Sequence, residues 1–296
     1  MKPFHADPFL DLAFTGRHRP RDLAAATVVI LLVLAIGALI GGSIKVFIID
    51  RLVSEDVESV TVLAFLAVSS AYAWLSLWLA SKFVLKRPIS TFMHATPRFD
   101  FSSVAAGASV YVILRICHAV GAYVLGIAVP RPPEAIVEPP RVVFVVCGLI
   151  LVSVQSVLEE ISVRGLLTQS IAVYVRSPPV LYTAVALLFA SFHGWVGLPL
   201  FATFVTTSLL MSALCSMGRG IAMPIGFHVA YNAAELLGLG FFSNPFNGAG
   251  SNATATWCVA TLHGIAAGIV FAATACRTPT RAALRSEAQC DEIVRP

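Results

Sequence analysis

Apolar residues come in runs near 20 long, separated by short polar or proline-rich stretches. The runs at 23–44, 60–81, 103–129, 142–163, 179–196, 198–217, 221–240 and 255–276 each predict a helix of membrane-crossing length. The expected fold is all-α, a polytopic transmembrane helix bundle of about eight spans. No linker is long enough to hold a second folded domain, so 23–276 reads as one helical membrane domain. A cytoplasmic N-terminal segment, 1–22, and a cytoplasmic C-terminal tail, 277–296, flank it. The first run is too long for a signal-peptide h-region and is kept as an anchor. Prolines 130, 132, 133, 139 and 140 predict a stiff external connection. The spacings Gly37 to Gly41 and Gly264 to Gly268 allow close helix contact.

Composition sharpens this picture. Of the 296 residues, 57% are hydrophobic and 12% charged, against about 25% charged in soluble domains. A mean hydropathy of +0.84 excludes a single water-soluble core. The net charge of +4 is scattered over loops rather than gathered in a groove, which argues against nucleic-acid binding. Under an eight-span alternation, most basic residues fall on one side. That side holds the N-terminus, the loop with Lys82, Lys86, Arg87 and Arg98, then Arg176, Arg219, and the tail with Arg277, Arg281, Arg285 and Arg295. The positive-inside rule then makes both termini cytoplasmic. The six cysteines show no CxxC spacing and read as small buried hydrophobes.

Ionisable groups inside apolar spans cost free energy unless partnered, so each needs a reason. Here they are Glu159, Glu160 and Arg164 in the fourth run, His193 in the fifth, His228, Asn232 and Glu235 in the seventh, Arg115 and His118 in the third, and His263 in the eighth. Glu160 and Arg164 are four apart, within about 40° on a helix, and can neutralise one another. Glu159 lies about 140° round from Arg164 and has no such local cation. That leaves it suited to exchanging a proton near neutrality. Phe189 and His193, and likewise His228 and Asn232, repeat the four-residue spacing. A carboxylate, two histidines and an amide from three helices make a minimal hydrolytic set, with a base for water, a partner to orient it, and donors for a developing oxyanion. At about 1.5 Å per residue, Glu159 and His193 differ in depth by roughly 15 Å. The gap closes if the fourth span begins outside the hydrocarbon and helix continues past Arg164, or if the fifth helix starts below the surface near Pro178.

Taken in order, Glu159-Glu160-Ile161-Ser162-Val163-Arg164, Phe189-Ala190-Ser191-Phe192-His193 and His228-Val229-Ala230-Tyr231-Asn232 read EExxxR, FxxxH and HxxxN. This resembles the three motifs of the CPBP family, the CAAX prenyl endopeptidases and bacteriocin-processing intramembrane proteases. The resemblance covers about residues 142–240. Gly165 fits the usual EExxFRG form, and Val163 stands where the family commonly has Phe. The resemblance implies an intramembrane endopeptidase in which Glu159 activates water with His193. His228 and Asn232 would stabilise the oxyanion, while Glu160, Arg164 and Phe189 support the site.

No cofactor is expected. Zinc is the alternative, with Glu159, His193 and His228 as ligands, although no HExxH is present. Glu235, near the face of His228 and Asn232, reads either as outer support of the site or as the partner of Arg115. The implied partners are the bilayer and a peptide or protein substrate, lipidated in the prenyl-processing branch. The motif wording looks closer to the bacterial branch, which implies the bacterial cytoplasmic membrane. Two rival readings are a non-catalytic membrane scaffold or regulator of the same fold, and a proton-coupled transporter relaying through Glu159, His193 and Glu235.

Overall fold

The structure, a computed structural model, describes residues 7–51, 56–95, 98–124, 139–194, 197–237 and 253–277. Prolines 130, 132 and 133 and the tail from 278 lie outside them. The helices are α1 (Pro8–Asp11), α2 (Pro20–Arg51), α3 (Asp56–Leu79), α4 (Phe101–Val124), α5 (Pro139–Glu160), α6 (Thr168–Ala172), α7 (Pro178–Phe192), α8 (Leu198–Gly218), α9 (Ala222–Leu236) and α10 (Ala253–Arg277). Among the described residues there is no strand, only a single bridge between His94 and Gly220. The polytopic helical bundle expected from the apolar runs is the architecture found.

Six described helices are long and apolar enough to cross a membrane, at 20–43, 63–85, 101–124, 145–172, 198–218 and 256–275. The two other expected spans are shorter: α7 and α9 have 15 residues each, about 22 Å of helix against a hydrocarbon core of about 30 Å. Gly194, at φ +74° just after the α7 cap His193, ends α7 in a conformation that costs a residue with a Cβ. In α9, every residue from Ala222 to His228 is buried, so protein rather than lipid surrounds its first two turns. Large side chains turned outward elsewhere, among them Leu32, Leu39, Ile113, Ile116 and Ile269, are apolar, as a bilayer requires.

The α2–α3 pair packs through α3 onto α5. Helix α5 packs on α9, α9 on α4 and α8, and α8 on α7 and α10. The α4–α9 crossing is very close, because a Cβ on Gly107 would strike the Met223 carbonyl and one on Gly226 the Val104 carbonyl. Of the two glycine spacings, Gly37 abuts Tyr72 of α3, whereas Gly268 meets nothing. Below α5 the helix does not stop at Glu160. It widens into a π segment, Ile161–Leu167, and runs on as α6. The α1 side chains Phe9 and Leu10 are buried, and Gln169 donates to the Phe9 carbonyl at 3.2 Å, which ties the N-terminal segment to α6. Two apolar clusters form the core. The turn at 158–163 gives Leu158 and Ile161 to one and Val163 to the other, so the glutamate pair sits at their seam.

Candidate active site

The fourth run carries its polar residues where α5 gives way to the π segment. π turns are concentrated at functional sites, because inserting a residue re-aims the side chains around it. The Arg164 Nη1 donates to Glu160 Oε1 at 3.2 Å, making the predicted i,i+4 pair. Its Nη2 donates to Ser208 Oγ on α8 at 2.9 Å. The guanidinium also lies 4.7 Å over the Phe189 ring of α7. One buried arginine therefore joins α5, α7 and α8. A cation in that position is tolerable only because carboxylate, hydroxyl and ring face surround it.

Helix α9 supplies the other half. The His228 Nδ1 donates to Glu160 Oε1 at 2.7 Å, and its Nε2 lies 3.5 Å from Glu159 Oε2. The imidazole thus sits between the two glutamates. Asn232, one turn on, donates from Nδ2 to Ser156 Oγ at 2.9 Å. Burial separates the carboxylates: the Glu160 side chain is 0% exposed and that of Glu159 31%. Glu159 faces a cavity of about 550 Å³ lined by α2, α3, α5, the π segment and the end of α7, whose walls include Leu34, Phe65, Leu77, Leu158 and Phe192. Only the second glutamate is locked in the protein interior; the first is free to meet a ligand.

His193 is placed differently. It caps α7, its Nδ1 donates to the Phe189 carbonyl at 2.9 Å, and its ring stacks on Phe204 at 4.3 Å and tilts against Phe189 at 4.7 Å. Because Nδ1 carries the proton, Nε2 keeps its lone pair. Phe189 links it to Arg164, so His193 belongs to the constellation through an aromatic bridge. Helix does continue past Arg164 to Ala172, one of the two features expected together to close the roughly 15 Å depth gap. Glu235 lies within electrostatic reach of Arg115 and Tyr111 on α4, which favours the Arg115 reading over support of His228. His263 is buried and bonded to Thr207 at 2.7 Å, as a helix-packing histidine would be. Among the described residues no group of three or more His, Cys, Asp or Glu side chains is placed to hold a metal ion.

Two residues escaped the sequence reading. Gln155 donates from Nε2 to Glu159 Oε1 at 2.9 Å, and Ser156 receives Asn232. Both stand one helical turn before a glutamate, so the i,i+4 rule that paired Glu160 with Arg164 was the signal available for Gln155.

Residues 141–234, about a third of the chain, match the family model described as type II CAAX prenyl endopeptidase Rce1-like. Over that segment the chain is similar to the CAAX prenyl endopeptidases. That match spans all three motifs, from Glu159 to Asn232, and the apolar helices make the chain an integral membrane protein that is similar, over that segment, to this endopeptidase family. No curated protein matches the chain, and no solved structure does.

Proposed function

We propose that the protein is an intramembrane endopeptidase that hydrolyses a peptide bond in a membrane-associated peptide or protein tail. The observation that carries this reading is the clasp of His228 between buried Glu160 and half-exposed Glu159, with Glu159 facing an apolar cavity. In this reading Glu159 takes a proton from water, and His193 Nε2 helps to orient that water. The hydroxide adds to the substrate carbonyl. His228 Nε2–H and the second amide hydrogen of Asn232 stabilise the resulting oxyanion. When the C–N bond breaks, the proton held by Glu159 passes to the leaving amine, giving one carboxylic acid and one amine. Glu160 and Arg164 hold His228 and Phe189 in place.

Apart from Gln155, Glu159 and hydroxyls such as Ser69, Ser70 and Ser162, the cavity wall is apolar, which suits an apolar or lipidated stretch of substrate. The distribution of basic residues supports cytoplasmic termini, and the motif wording supports a bacterial cytoplasmic membrane.

The test is a mass-spectrometric comparison of membrane peptide termini in cells making wild-type protein or Glu159→Gln at equal levels. Specific termini should vanish with the substitution. An unchanged set of termini, with both proteins folded and abundant, would remove the hydrolytic reading.

A further inference from the structure

One turn before the paired glutamates, α5 presents a second adjacent pair. Gln155 is half-buried and lines the same cavity as Glu159; Ser156 is fully buried. We propose that Gln155 and Ser156 are positioning residues of the hydrolytic site, Gln155 seating the Glu159 carboxylate and Ser156 orienting the Asn232 amide. This inference rests on the hydrolytic reading above and adds two residues to it.

The chemistry of each contact gives its role. A glutamate side chain turns about three bonds, and Glu159, at 31% exposure, is not enclosed on every side. The Gln155 amide donates to Oε1 and leaves Oε2, the oxygen 3.5 Å from His228 Nε2, to take the proton from water. Because that amide is neutral, it orients the carboxylate without pairing its charge. Glu160 instead has Arg164, and that pairing suits support rather than proton exchange.

Ser156 works by elimination of alternatives. Its hydroxyl hydrogen is committed to the Val152 carbonyl at 2.7 Å, so towards α9 it can only accept. Only the NH2 end of Asn232 satisfies an acceptor, and the 2.9 Å contact is of that kind. One Asn232 hydrogen is thereby fixed on α5 and the amide plane is set, which aims the second hydrogen. A rotated amide would present its oxygen where a donor is needed.

The measurement is the rate at which Glu159-dependent peptide termini accumulate after induction in cells, with protein levels matched and each purified variant melted in detergent. Gln155→Leu should slow accumulation by about tenfold or more while melting as wild type, since misaligned reacting groups lose rate without losing fold. Ser156→Ala should slow it similarly, and Ser156→Thr, which keeps the hydroxyl, should restore it. Added to Asn232→Ala, the Ser156→Ala change should cost nothing further, because two residues acting through one contact are not additive. Wild-type rates in Gln155→Leu, or additive losses for Ser156→Ala and Asn232→Ala, would overturn the proposal. So would a lowered melting temperature with unchanged rate in Ser156→Ala, which marks a packing role alone. Should no terminus depend on Glu159, the hydrolytic reading fails first and this one falls with it.

Discussion

The His228 Nδ1 lies 2.7 Å from Glu160 Oε1, across 68 residues of chain. That bond fastens α9 to α5 at a carboxylate already held by Arg164. It turns the two glutamates into different instruments: Glu160 holds its neighbours, and Glu159 beside it faces the cavity.

The two glutamates should therefore fail differently. Replacing Glu160 by Gln leaves Arg164 buried without its counter-charge and weakens the grip on His228. The expected loss is about 3–5 kcal/mol of stability, typical of breaking a buried pair from one side. Glu159→Gln should abolish turnover while leaving the melting curve nearly unchanged. Thermal melts beside the peptide-terminus assay separate the cases, and equal destabilisation by both would contradict the assignment.

A methyl group at Gly226 would collide with the Val104 backbone oxygen, an atom that cannot swing aside. Gly226→Ala should force α9 away from α4 and carry His228 and Asn232 with it. The expected cost is about 1–3 kcal/mol or more, as for overpacked cores. The readout is yield of folded protein and melting temperature. Ala at Gly268, where a Cβ meets nothing, is the control and should behave as wild type.

Filling the cavity tests what it accommodates. Ser70 lines its α3 wall and is 8% exposed. Ser70→Phe should raise the KM of an apolar substrate segment by about tenfold, the effect of losing roughly 1–3 kcal/mol of pocket binding. Unaltered kinetics with a correctly folded variant would show that substrate lies elsewhere.

Asp100, just before α4, accepts the Ser102 backbone N–H at 2.9 Å and the hydroxyls of Ser102 and Ser103 at 2.6 Å. The two serine hydroxyls are the chief cause holding its carboxyl down from 3.8 to about 2. A group whose folded pKa is depressed stabilises above its unfolded pKa, and that stability is lost as pH falls through the folded value. Asp100→Ala should therefore melt lower than wild type at pH 7, and the two curves should converge towards pH 2. A constant gap across that window would show that the carboxylate charge plays no part in capping α4.

Much of this could be read along the chain. Runs of apolar residues predict helices because hydropathy is local, and six of the eight runs reach spanning length. Two fell short, and for α7 the helix end is set by a single residue. Gly194 closes α7 directly after His193, although the apolar run itself continues to 196. The Glu160–Arg164 pair was legible because four residues make one helical turn whatever surrounds them. Gln155 obeys the same rule and went unread, since a neutral amide in a helix signals nothing until a carboxylate is seen to need it.

By itself, then, the sequence determined the helical membrane architecture, the three motifs and the i,i+4 partners, all of which follow from local spacing and transfer free energy. Tertiary structure alone decided the rest. It placed His228 between the glutamates, buried Glu160 while exposing Glu159, held His193 to Arg164 through Phe189, and brought α2 and α3, outside the matched segment, to wall the cavity. Those are relations between residues distant in the chain. Exposure and partnership depend on which helices meet, and no local pattern encodes that.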